Sequence, residues 1–168
     1  MDRFPHPSPT RWRRLPGFTL VEMLVTLAIA GILVALAAPA MSSFLAEQAA
    51  AGNADELAAA FRFARSEAVK RSASVTVCAS SDGSSCGDDW SAGWIVSAGD
   101  NLLKVQNGLR AMDHVDADAD SVTFASNGLV SEGGGSAFTF VPTGGDTNLQ
   151  RVVQLDVQGK VQVTKGSS

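Results

Sequence analysis

The sequence predicts an α+β fold in which one long N-terminal helix packs on antiparallel β-sheet. Three observations predict it. Residues 18–40 form a long apolar run with a single charge. Residues 41–71 keep helix-forming composition with apolar positions at helical spacing. After Ser72 the pattern changes to short β-branched and aromatic runs separated by turn residues. Strands that follow a single helix, rather than alternating with helices, imply antiparallel sheet packed against that helix. A chain of 168 residues holds one such domain.

Residues 1–17 are basic. Arg3, Arg11, Arg13 and Arg14 face only Asp2, a local balance of +3, whereas the rest of the chain carries nine Lys/Arg against sixteen Asp/Glu, or −7. An acidic body excludes a general nucleic-acid binder, which needs a basic face to displace phosphate counterions.

The run 18–40 contains one charge, Glu22. As a helix it spans roughly 35 Å, enough for a hydrocarbon core of about 30 Å. The arginines before it keep the N-terminus cytoplasmic and send the body across. An ordinary secretory signal could use Ala38-Pro39-Ala40 as a poor cleavage site, but the apolar run is too long and holds a carboxylate. An ionised carboxylate in lipid costs at least about 2.5–3.5 kcal/mol and calls for a partner. No basic residue lies within the run. A cut between Gly17 and Phe18 would create an α-amino group four residues before Glu22, and that amine could neutralise it. The other reading has Glu22 snorkelling to the nearby surface.

In the segment 41–71, Leu57, Phe61, Ala64 and Ala68 recur at spacings of four, three and four, which is one face of a helix. Gly52-Asn53 is a weak interruption and a candidate bend. The division is therefore a leader (1–17), a transmembrane or filament-core helix (18–40), an amphipathic helix (41–71) and a β-rich domain (72–168). Strands are expected at 75–78, 93–96, 121–124, 138–141, 151–157 and 160–163, with one more within 102–110. Gln158-Gly159 signals a tight hairpin between the last two.

Pro16-Gly17-Phe18-Thr19-Leu20-Val21-Glu22, with its basic leader and apolar run, resembles the type III signal of type IV prepilins and pseudopilins. Ala64-Arg65-Ser66-Glu67-Ala68, Val75-Thr76-Val77-Cys78, Cys86 and Trp90-x-x-Gly93-Trp94 resemble the GspH/FimT family of minor pseudopilins and minor pilins. The similarity covers about residues 16–96 and the C-terminal hairpin. It implies a type IV pilin-like fold, cleavage after Gly17 by a prepilin peptidase, N-methylation of Phe18, and pairing of Glu22 with a neighbouring subunit's amine. Gly31 and Pro39 match positions where pilin helices carry a glycine and a helix-bending proline, and Pro39 removes a backbone N–H. The implied localisation is a single pass in the inner membrane with a periplasmic domain, assembled into a periplasmic filament with other pilins or pseudopilins.

The implied function is that of a structural subunit of a type II secretion pseudopilus, similar to its H component. The alternative is a FimT-like minor pilin that binds DNA for natural transformation. DNA receptors of that kind carry Gly-Arg-x-Arg. Here the stretch is Gly159-Lys160-Val161-Gln162, which loses the bidentate forks and one charge. Arg151, Lys160 and Lys165 are left as a weak DNA contact, ranked below the secretion role. A generic single-pass anchored domain is the third reading.

Cys78 and Cys86 bracket a Ser/Gly/Asp loop; a disulfide is the expectation for a periplasmic domain, with two free thiols as the alternative. Asp116-Ala117-Asp118-Ala119-Asp120 begins like a calcium loop, but Ser121 and Asn127 stand where it needs Gly and Glu, so a solvated acidic turn is expected. Glu132–Ser136 is Gly-rich without a following Gly-Lys-Ser/Thr and reads as a mobile surface loop. Trp90 and Trp94 read as packing residues. His6 falls in the leader and His114 in the acidic loop, and no nucleophile–base arrangement stands out. The expectation is no catalysis, no cofactor and no metal.

Overall fold

The computed structural model describes residues 17–144 and 146–166. The basic stretch 1–16 lies outside the described residues, and so does the side chain of Pro39. The chain divides into two compact units, 1–39 and 40–168.

Helix α1 (Leu20–Arg71) is 52 residues long. It continues through Gly52-Asn53 without the expected interruption. Asn53 is accommodated because its side-chain amide donates to the carbonyl of Arg110, 3.1 Å away. The polar residue thus binds the connection between the strands Asn101–Asn107 and Met112–Ala117 instead of competing with its own backbone.

In the second unit nine strands follow: β1 (Val75–Ala79), β2 (Gly93–Ala98), β3 (Asn101–Asn107), β4 (Met112–Ala117), β5 (Ser121–Phe124), β6 (Val130–Glu132), β7 (Ala137–Pro142), β8 (Arg151–Leu155) and β9 (Val161–Lys165). They form a five-stranded sheet in the order β3-β2-β1-β5-β6 and a four-stranded sheet in the order β4-β7-β8-β9. Every pairing is antiparallel. The expected α+β architecture of one helix on antiparallel sheet is therefore present.

The differences lie at the edges. The strand expected within 102–110 is β3, which ends at Asn107. Met112–Ala117, whose last two residues belong to the expected acidic turn, is the edge strand β4. Val130–Glu132, next to the glycine run, is the short edge strand β6. Edge strands face water on one side, so their sequences lose the apolar signal that marks central strands.

The core forms because α1 and both sheets each offer an apolar face. Leu57, Phe61, Ala64 and Ala68 are fully buried, as their spacing requires. They meet Val75, Val77, Val96, Val122 and Phe124 from the first sheet and Phe138, Phe140, Val153 and Leu155 from the second. Phe61 is the junction. Its ring lies 5.2 Å from Phe138, 6.4 Å from Phe124 and 6.4 Å from Trp90, and Trp90 packs edge-on against Phe138 at 4.9 Å. Gly93 opens β2 with φ +123°, and a Cβ there would stand 2.2 Å from the Gln106 carbonyl oxygen, so only glycine lets β2 and β3 pair at that point.

Phe61→Ala should destabilise the soluble body by about 3–5 kcal/mol, since it opens a cavity between helix and both sheets. Phe61→Leu should cost less. Urea denaturation followed by tryptophan fluorescence would measure both, and an alanine variant as stable as the parent would remove Phe61 from its central place.

Candidate functional site

In the first unit the sequence features cluster at the start of α1. Thr19 is the N-cap: its Oγ1 accepts a hydrogen bond from the Glu22 N–H at 3.2 Å, and its carbonyl accepts one from the Met23 N–H at 3.2 Å. Glu22 therefore occupies the third helical position, where a carboxylate complements the positive end of the helix dipole. Sequence reasoning passed over Thr19, although Thr-x-x-Glu before an apolar run is the signature of such a cap. Every described side chain from Gly17 to Ala37 is exposed. Phe18, Leu20, Leu24, Ile32 and Leu36 are each more than half exposed. The helix is long and apolar enough to cross a membrane, by length and composition. Such a surface requires an apolar environment or other apolar helices.

In the second unit, Cys78 and Cys86 are joined by a disulfide, with their Cα atoms 5.5 Å apart. Cys78 is fully buried on β1, so the bridge fastens the β1–β2 loop to the core. By the chain-entropy model a loop this short gains about 2–3 kcal/mol. Asp82 holds the loop's interior. It accepts from the Ser84 and Ser85 backbone N–H groups at 2.8 Å each and from the Ser85 hydroxyl at 2.6 Å. Those bonds, the Ser85 hydroxyl first, hold its carboxyl far below the usual carboxylate range. Asp89 caps the turn Trp90–Ala92 that leads into β2, and Trp90 Nε1 donates to the Ala119 carbonyl at 2.9 Å. Trp90 and Trp94 are both buried.

The three basic residues singled out for DNA do not form one patch. Arg151 and Lys165 sit opposite each other on β8 and β9, and both bind Glu47 Oε1, at 2.9 and 3.2 Å. The Arg151 guanidinium first, then the Lys165 ammonium, holds the Glu47 carboxyl below its usual range. Lys160 stands at the other end of the hairpin, in the turn before β9, where its backbone N–H donates to Asp156. Glu47 was not legible in the sequence, because its partners lie 104 and 118 residues away.

The acidic stretch is not wholly the expected turn, because it begins inside a strand. Asp116 and Ala117 belong to β4, and Asp118 accepts from the Ala137 N–H at 2.9 Å. Among the described residues no three His, Cys, Asp or Glu side chains converge as metal ligands would. The glycine run after β6 is fastened in place: the Gly135 N–H donates to the Leu155 carbonyl at 2.8 Å.

The family model described as "Type II transport protein GspH" matches residues 53–159, and that of the "Prokaryotic N-terminal methylation motif" matches residues 13–38. No curated protein matches the chain. Among solved structures the chain is similar to the type IV minor pilin FimU of Pseudomonas aeruginosa. Identity there is 24% over 68% of this chain and 87% of that one, with a TM-score of 0.57. It is also similar to the minor pseudopilin EpsH from the type 2 secretion system of Vibrio cholerae. Identity there is 15% over 69% of this chain and 96% of that one, with a TM-score of 0.52. These likenesses show a type IV pilin-like fold.

The Glu47 cluster should make stability pH-dependent. A carboxyl with a depressed pKa contributes fully above its unfolded value and loses the contribution as pH falls through its folded value. Glu47→Gln should therefore be less stable than the parent near pH 6, and the gap should close between about pH 5 and 3. Chemical denaturation across that range checks it; a gap that stays constant would mean the ion pairs contribute nothing.

Proposed function

This chain belongs to the GspH family and is a minor pilin-like subunit, and on that premise we propose that it is an H-like structural subunit of a type II secretion pseudopilus. The observation that carries this reading is one chain matching both family models, the methylation motif over the apolar helix and GspH over the body.

The mechanism follows from the residues. A prepilin peptidase cuts between Gly17 and Phe18, removing the arginine-rich leader that kept the N-terminus cytoplasmic. The new Phe18 amine, methylated but still charged, is the cation that Glu22 lacks within the apolar run. Pairing Glu22 with the amine of a neighbouring subunit offsets the cost of a carboxylate in lipid. It also registers the incoming helix against the one already in place. Pro39 supplies a point where the helix bends without losing a backbone hydrogen bond, since it has no N–H to donate. The body stays in the periplasm, where an oxidising environment keeps the Cys78–Cys86 bridge closed. The subunit performs no chemistry; its partners are the peptidase, the inner membrane and other pseudopilins.

The second reading is a minor pilin that contacts DNA. The fold likeness to FimU is its support. Against it, Glu47 neutralises Arg151 and Lys165, so of the three residues only Lys160, at the far end of the hairpin, lacks an acidic partner among the described residues. One or two phosphate contacts give a salt slope of only about −1 to −2 on duplex DNA.

The mature protein should begin at Phe18 and carry an extra methyl group, as read by intact-mass analysis of membrane fractions. A chain that starts after Ala40 or keeps its leader would sink the filament reading. Glu22→Val should still insert and be cleaved but should recover fewer partner subunits on co-purification. Unchanged recovery would mean that Glu22 does not pair in assembly.

A further inference from the structure

The disulfide of the body joins two sulfurs in unlike surroundings. Val75, Val77 and Ala79 of β1 point into the core, so the alternation of a strand puts Cys78 on the opposite face of the sheet, beneath the β1–β2 loop. Cys78 is fully buried there. It stands opposite Ile95 of β2 on one side and Ser121 of β5 on the other, and Ile95 is buried as well. Cys86 lies in the loop, where every residue from Ser84 to Asp89 is exposed.

The loop is also held over Cys78 by contacts that involve no sulfur. The Gly87 N–H donates to the Ala79 carbonyl at 2.8 Å, and the Gly83 N–H donates to Ser80 Oγ at 3.0 Å. Asp82 ties Ser84 and Ser85 into the same turn. A Cβ on Gly83 would stand 3.1 Å from Val105 Cγ1, and Val105 pairs with Ile95, which pairs with Cys78. The loop therefore rests on the face of the sheet that carries Cys78, and these contacts keep it there whether or not the two sulfurs are bonded.

Thiol–disulfide exchange needs a thiolate that can reach the sulfur it attacks. Burial penalises the charged form of a thiol and closes its approach, whereas an exposed thiol keeps both. The sulfur within reach of Cys78 is that of Cys86, since their Cα atoms are 5.5 Å apart. Cys86 faces solvent as well as Cys78.

We propose that Cys86 is the exchange site of this bridge, the residue that bonds to an outside disulfide or thiol, and that Cys78 bonds to no sulfur but that of Cys86. When the bridge is made, the Cys86 thiolate attacks one sulfur of a partner disulfide, and the partner's other sulfur leaves as a thiolate. The Cys78 thiolate then attacks the Cys86 sulfur of this mixed disulfide and expels the partner's second thiolate. The two cysteines give up two protons and two electrons, and the partner disulfide is reduced to two thiols. Breaking the bridge runs the other way: an outside thiolate attacks the Cys86 sulfur, and Cys78 must leave as a thiolate beneath the loop. That leaving group is poor in an apolar site, so the bond is broken slowly while the loop is in place. The proposal goes beyond the secretion reading and does not rest on it, since it concerns the loop alone.

The chain has two cysteines, so Cys78→Ala and Cys86→Ala each leave a single thiol. Both full-length variants, in detergent and with near-parental circular dichroism, would be given oxidised glutathione and followed by intact mass. The Cys86 thiol of Cys78→Ala should take up glutathione at least about tenfold faster than the Cys78 thiol of Cys86→Ala. In denaturing urea the two rates should converge. Equal rates in the folded variants, or a faster Cys78, overturn the proposal. The parent chain gives a second measurement that needs no substitution. Treated in its oxidised form with reduced glutathione, quenched with acid and digested, it should carry the mixed disulfide on the peptide that contains Cys86. Glutathione on the peptide that contains Cys78 overturns the proposal, as does a rate of bridge reduction that urea leaves unchanged.

Discussion

The packing of one helix face against two sheets is the contact on which the body depends. Ala54, Ala58, Ala64 and Ala68 are fully buried with Leu57 and Phe61 on α1. The small residues let strands approach the helix closely, and the single large ring of Phe61 fills the space where the sheets diverge. With no other α-helix among the described residues of the body, neither sheet could cover its apolar face without this one. The outward side of α1 is then free to carry charge, and Arg62, Arg65, Lys70 and Arg71 occupy it.

What the sequence reveals follows from how far each signal reaches along the chain. The helix is legible because its period repeats over many turns, and the central strands β1, β2, β5, β7 and β8 because both of their neighbours keep them apolar. β4 is hidden because Asp113, His114 and Asp116 give it the composition of a loop. β6 is hidden because three residues are too few for any period to appear. The same rule governs the sites. Thr19, Glu22 and the Cys78–Cys86 pair lie within a few residues of their partners, so local spacing points to them. Glu47 has no local sign at all, because its partners are supplied by the last hairpin.

Several of the body's carboxylates hold its loops. Asp82, Asp89, Asp118 and Asp156 each accept backbone N–H groups at turns. For Asp82 and Asp89 these bonds, the serine hydroxyls first, hold the carboxyl below its usual range. Turns pinned in this way give the body a surface of fixed shape.

The ion cluster at Glu47 has a consequence for when the body can form. Lys165 lies on β9, which follows every other strand of the described chain, and Glu47 lies near the start of the second unit. β9, which supplies Lys165, also covers the outer edge of β8. A chain emerging residue by residue therefore has no complete second sheet, and no counter-charge from β9 for Glu47, until β9 appears. Contacts this distant in sequence close late and slowly. Until then the second sheet lacks its last strand, and the body closes only when β9 joins β8.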